Sequence, residues 1–309
     1  MSAIATSRIS TTVRNILVMT WLRASFAVEG WFAPESAARR GAQLFCTPFP
    51  SSRSRALAAP LGGAALGTLD VGEHRLATYA WGDPAMQPYV LFAHGWSSFG
   101  ARFLPWVERL RARGYAVVAF DQPGHGRSSG RRATLPDFTQ HLAAVASHYG
   151  PAAALIGHSL GGAASALALA GGLDAQRVVL IAPAADPIAA TSRFARIVGI
   201  AEDLRKRLCN VLEAQTAISV ESQQAHLNAP HIGRPALIVH DLDDRDVPWC
   251  EGERYARYWP DARLLTTTGL GHNRIAHDDT VIDAALRFFD GETVGERVVS
   301  SPNLPYGFA

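Results

Sequence analysis

The chain has 309 residues, 48% hydrophobic and 18% charged, which is enough apolar content to bury a sizeable core and too much for intrinsic disorder. A formal net charge of +2 provides no field to draw nucleic acid. Of the 29 basic residues only Lys206 is a lysine, and it sits in the solvated-looking run Leu204-Arg205-Lys206-Arg207-Leu208. That excludes a Gly-Lys-Ser/Thr phosphate loop and gives a Schiff-base enzyme no suitable amine. Cys46, Cys209 and Cys250 are odd in number and far apart, so neither a disulfide framework nor a zinc spacing is expected. A reducing, cytoplasmic location is the expectation that follows.

At the N-terminus, Arg8 and Arg14 precede the apolar run from Ile16 to Met19. Arg23 interrupts that run and no small-x-small site follows, so a cleaved signal is not expected. No apolar run reaches about 18 residues, so no spanning helix is expected. Leu17, Trp21, Ala24 and Val28 recur at helical spacing. Residues 1–60 carry seven Arg and two Glu, a local charge of +5. The spacing predicts a helix that packs this stripe on the main domain. The sharper alternative is a basic amphipathic helix making weak contact with a membrane surface. Pro34–Phe45 reads as a second short helix.

From Ala64 onward, short apolar runs alternate with helical stretches. The runs 65–71 and 74–80 flank Gly72-Glu73 and predict a hairpin. Six further strands are predicted at 89–93, 115–120, 153–156, 178–181, 236–239 and 263–267. One intervening helix carries Pro136 near its start and Phe138, Leu142, Val145 and Tyr149 on one stripe. Continuous apolar strands between helices predict an α/β fold: a mostly parallel, doubly wound sheet of about eight strands with helices on both faces. Residues 186–229 break the alternation and predict a helical cap. The domain reading is an extension over 1–60, a core over 61–290 with the cap at about 186–230, and a tail over 291–309.

The chemistry is predicted at the carboxyl ends of the strands. Gly157-His158-Ser159-Leu160-Gly161-Gly162 follows a strand and opens an Ala-rich helix. It matches G-x-S-x-G, a turn so sharp that small residues must flank the nucleophile. Ser159 needs a base to take its proton, and His272, in the Gly-rich loop after the last strand, is placed to supply it. A carboxylate that orients this histidine is expected after the preceding strand, where Asp241, Asp243, Asp244 and Asp246 cluster. The cluster lacks the glycine and the closing glutamate of a calcium loop, so no metal is expected. Asp278 and Asp279 read as the capped, charged start of the last helix. His94-Gly95-Trp96 follows the 89–93 strand, and the N–H of Trp96, paired with that of Leu160, is placed for a developing oxyanion. His94 and His158 read as structural rings bonded to backbone.

These motifs together resemble the α/β-hydrolase superfamily over about residues 64–290. The resemblance rests on His94-Gly95-Trp96, Asp121-Gln122-Pro123-Gly124-His125-Gly126-Arg127-Ser128, Gly157–Gly162, Asp244-Arg245-Asp246-Val247-Pro248 and Gly271-His272. It implies a cap after the sixth strand, where 186–229 falls. It implies catalytic Ser159, Asp244 and His272, with oxyanion donors on Trp96 and Leu160. Asp186, after the sixth strand, is the main rival for the acid. Dehalogenases and epoxide hydrolases of this superfamily carry Asp at the elbow, so Ser159 disfavours both. The expected activity is hydrolysis of a carboxylic ester of a small to medium acyl substrate, with no cofactor. Acyl transfer, carbon–carbon hydrolysis, perhydrolysis and a non-catalytic binding role remain open alternatives, and oligomeric state is not legible.

Overall fold

The structure, a computed structural model, describes residues 2–299, with first-helix side chains described at 13 and from 16 onward. Residues 300–309 of the expected tail and the side chains of Arg8 and Arg14 lie outside the described residues. The chain divides into two compact units, one formed by the segment through Cys46 with Pro187–Glu221, the other by Thr47–Asp186 with the segment from Ser222.

The larger unit is built on one eight-stranded sheet. Its strands are β1 (Ala65–Val71), β2 (His74–Trp81), β3 (Tyr89–Ala93), β4 (Ala116–Phe120), β5 (Ala152–His158), β6 (Ala175–Ile181), β7 (Ala236–Asp241) and β8 (Ala262–Thr267). The order is β1-β2-β4-β3-β5-β6-β7-β8. β1 and β2 form the predicted hairpin, with Gly72 at φ 58° in the turn. β2 also runs antiparallel to β4, and all remaining pairs are parallel. β3 pairs outward with β4 and inward with β5, so the winding direction reverses between β3 and β5. That switch point leaves a crevice at the carboxyl ends of the two strands.

Every residue of β3 and β4 is buried, and successive side chains enter opposite layers. Val90 and Phe92 pack with Trp106 and Leu110 of α4 (Leu104–Ala112) and with Ile282 and Leu286 of α12 (Asp279–Phe289). Leu91 packs on the other face with Phe138 and Leu142 of α5 (Leu135–Tyr149), Ala164 of α6 (Leu160–Ala170) and Tyr255 of α10 (Trp249–Tyr258). Covering both faces is what allows the strands to be continuously apolar. Helix ends follow local chemistry. Thr134 and Asp137 form a reciprocal capping box at α5, and Asp278 accepts from Thr280 N–H and Val281 N–H at α12.

The expected extension 1–60 does not stay together. Its last helix, α3 (Pro50–Ala58), belongs to the sheet unit. The smaller unit contains α1 (Ser2–Phe32), α2 (Pro34–Phe45), α7 (Pro187–Val198) and α8 (Glu202–Thr216). Small residues Ala37, Ala38, Gly41 and Ala42 line α2 and admit α8 closely: a Cβ at Gly41 would lie 3.0 Å from Leu208. The packed face of α1 corrects the sequence expectation. Phe26 is buried with Met19 and Leu22 against it, while Leu17, Trp21 and Val28 of the predicted stripe are exposed. The helix is apolar on two sides, and periodicity alone selects the outer one.

Candidate active site

β5 ends at His158, and the next residue turns at once into α6. Ser159 takes φ 55° and ψ −121°, a left-handed conformation that is costly for any residue with a Cβ. Its surroundings leave no room for alternatives. A Cβ at Gly161 would lie 2.2 Å from the Ala93 carbonyl oxygen, and one at Gly157 would lie 2.7 Å from Gly162 Cα. The loop after β3 comes equally close, since a Cβ at Gly95 would sit 2.8 Å from Ser159 Cβ. Ser159 occupies the N-cap position of α6, yet its hydroxyl caps nothing.

That hydroxyl donates instead to His272 Nε2 over 2.9 Å. His272 Nδ1–H donates to Asp244 Oδ2 over 2.7 Å, closing a line across three loops. Asp244 Oδ1 accepts from the N–H groups of Asp246 and Val247, at 2.9 Å each. Burial alone would raise the Asp244 carboxyl. Hydrogen bonding from His240 and His272 outweighs it and holds the group well below the usual carboxylate range. The carboxylate therefore stays ionised against the imidazole. Asp186, the rival acid, is turned elsewhere: it pairs with Arg254 at 2.9 Å and accepts from Gln224.

The other aspartates of the cluster have distinct tasks. Asp241 is fully buried. Its carboxylate accepts from Thr267 Oγ1 at 2.6 Å, Asp243 N–H at 3.0 Å, Leu270 N–H at 3.1 Å and Gly271 N–H at 3.0 Å. Asp243 Oδ2 accepts from Gly269 N–H at 2.8 Å. Both side chains thus hold the segment that presents His272. From the sequence alone they are only rivals of Asp244, although the Asp-rich run after β7 is the available signal.

The histidines beside the site are bonded to backbone. His158 Nε2–H donates to the His272 carbonyl at 2.9 Å. His94 Nδ1–H donates to the Gly95 carbonyl, and its Nε2 accepts from Gln122 N–H. His125 accepts from Ser97 N–H and donates to the Pro123 carbonyl. Burial pushes His94 down to about 4 and His125 down to about 3, the latter with help from His94, so both rings are neutral near pH 7. Burial also holds His158 well below the ordinary imidazole value. The segment around α3 reaches the same loop: Phe49 N–H donates to Ser97 Oγ, and Arg55 donates to the Ser97 carbonyl. The sequence expectation places this segment with the extension and misses the contact, because an arginine bonded to a remote carbonyl leaves no local pattern.

The comparisons agree with this architecture. The family model described as serine aminopeptidase, S33 matches residues 84–229. The pimeloyl-[acyl-carrier protein] methyl ester esterase of Xanthomonas campestris is 28% identical over 249 residues, spanning 65% of this chain and 94% of the relative. Among solved structures, a bacterial membrane phospholipase A aligns with TM-score 0.58 at 19% identity, covering 90% of this chain and 98% of that one. The ferulic acid-bound Est1E of Butyrivibrio proteoclasticus aligns with TM-score 0.58 at 21% identity, covering 73% and 98%. Sheet order, strand-to-helix elbow and similar structures converge: the chain has the α/β-hydrolase fold, and its residues 84–229 resemble the serine aminopeptidase, S33 family.

Proposed function

We propose that the chain is a serine hydrolase that cleaves a carboxylic ester, or a related acyl bond, of a small to medium substrate through an acyl-enzyme intermediate. The observation that carries this reading is the hydrogen-bonded line from Ser159 Oγ through His272 to Asp244, starting at a strained elbow. Strain at the nucleophile lifts Oγ above the sheet and aims it away from its own helix.

In the proposed reaction, His272 Nε2 takes the Ser159 proton while Oγ attacks the acyl carbonyl. Asp244 fixes the Nδ1–H tautomer and stabilises the imidazolium that forms. The N–H groups of Trp96 and Leu160 receive the tetrahedral oxyanion. His272 then returns the proton to the leaving alcohol as the carbon–oxygen bond breaks, leaving the acyl group on Ser159. Water, deprotonated by the same ring, repeats the sequence and frees the acid. The ester-cleaving activity named for the Xanthomonas relative, which matches over 94% of its length, supports this substrate class.

A fluorophosphonate probe tests the reading directly. Wild-type protein should be labelled on Ser159 and the Ser159→Ala variant should not. A panel of p-nitrophenyl esters of increasing acyl length should then show turnover that labelling abolishes. Labelling of neither protein, together with no turnover on the panel, would overturn the proposal in favour of a non-catalytic role. Product transferred to an added alcohol faster than to water would instead favour acyl transfer.

A further inference from the structure

The outer side of α1 is apolar and uncovered. Val13 is 50% exposed, Leu17 63%, Trp21 69%, Val28 61%, Trp31 81% and Phe32 76%. At 100° per residue these positions fall on one side of the helix, opposite the buried Phe26, and span about 28 Å of its length. Trp31 and Phe32 are ring neighbours, with centroids 5.1 Å apart, at the C-terminal end of the stripe.

Residues 1–28 contain Arg8, Arg14 and Arg23 and no acidic residue. By the same spacing Arg14 falls on the outer side, whereas Arg8 and Arg23 fall toward the side of Phe26. Glu29, the first acid, is engaged by Arg40 of α2 at 2.7 Å, on the packed side of the helix. Arg23 is exposed and donates to the Ile197 carbonyl at the end of α7, beside exposed Arg196 and Ile197. The helical unit as a whole carries ten basic and six acidic residues, whereas the sheet unit carries 19 and 21.

We infer that this face of α1 docks on an anionic phospholipid surface. Tryptophan and phenylalanine suit the boundary between headgroup and acyl chain, and Arg14 beside them, with the net positive charge of the helical unit, attracts anionic headgroups. A second copy of the chain is the less suitable occupant, because pairing two such faces would bring arginine-only segments together. The helix would lie on the surface. It does not cross it: no described helix is long and apolar enough to span a membrane. Docking of this kind concerns where the enzyme sits and is independent of the triad.

The test is co-sedimentation of the full chain with vesicles of phosphatidylcholine alone and vesicles containing about one-third phosphatidylglycerol. Wild-type protein should bind the anionic vesicles preferentially, and about 0.5 M salt should weaken the binding. The triple variant Trp21→Gln, Val28→Gln, Trp31→Gln should lose about tenfold or more in partitioning, with unchanged circular dichroism and unchanged turnover of a soluble ester. Trp31→Gln alone, near the helix end, keeps the test usable if the triple variant misfolds, and a measurable loss is expected from it too. Absence of wild-type binding, or binding undiminished in the correctly folded variants, would overturn the inference. So would a wild-type dimer that the variants convert to monomer.

Discussion

At the residue scale, three of the four aspartates at the end of β7 and in the loop after it show how one motif distributes work. Asp244 faces His272, whereas Asp241 and Asp243 hold the backbone that carries it. Asp244→Asn should retain shape but offer the imidazole a donor amide, costing up to about 10⁴-fold in turnover by analogy with the same change in serine-protease triads. Asp186→Asn should leave most activity, since that carboxylate is committed to Arg254 and Gln224. The two variants assayed side by side check the assignment, and a collapse of Asp186→Asn with survival of Asp244→Asn would reverse it. Asp241→Asn makes a different prediction. Its amide would replace acceptor capacity where four donors converge. A stability loss of about 2–3 kcal/mol is expected, accompanied by lower turnover, and is measurable by urea denaturation. Ser159→Ala should reduce turnover by about 10⁴- to 10⁶-fold with little change in thermal midpoint, because Ala meets the same backbone strain as Ser.

At the element scale, the site depends on how closely three chain segments approach at the elbow. α6 begins against the end of β3, with no space for a side chain at Gly161, and the loop after β3 leaves none at Gly95. Gly161→Ala should push Leu160 and its N–H away from the crevice, because the obstructing atoms are backbone carbonyls that cannot rotate aside. Loss of folded protein, or of both stability and turnover, is the expected result in expression and activity assays. Normal turnover in folded Gly161→Ala would show that the helix can withdraw from β3 without disturbing the elbow.

At the scale of the whole molecule, the buried histidines couple stability to pH. His94 is pushed down to about 4 and His125 to about 3 by burial, below the ordinary imidazole value they recover on unfolding. As pH falls through about 6.5, the unfolded chain takes up protons that the folded chain refuses, so stability is full above that value and declines below it. Each ring contributes a slope of about 1.4 kcal/mol per pH unit down to its folded value, so the two together contribute about 3. Denaturant midpoints should be level from about pH 8 to 7 and should fall between about pH 6 and 4.5. A midpoint that stays level across the acidic range would contradict neutral burial of these rings.

The sequence by itself determined whatever local backbone chemistry dictates. The central strands are legible because buried strands are continuously apolar, the β1–β2 hairpin because two runs flank Gly72-Glu73, and the elbow because glycines must flank a left-handed serine. The start of α12 is legible because an aspartate caps it. The positions of Ser159, Asp244 and His272 are also legible, from the order of motifs along the chain. Tertiary structure decided everything that depends on the choice of a partner. α1 offers two apolar sides, and only the small-residue surface of α2 and its neighbours selected Phe26 over Trp21 for burial. Asp241 became the clamp of the histidine loop because β7 and β8 lie side by side, bringing Leu270 and Gly271 to a residue about thirty positions earlier. α3 joined the sheet unit because Phe49 and Arg55 reach Ser97 across more than forty residues. Periodicity and propensity report which faces can be buried. Which of them is buried depends on contacts between segments remote in sequence, and those exist only once the sheet has assembled.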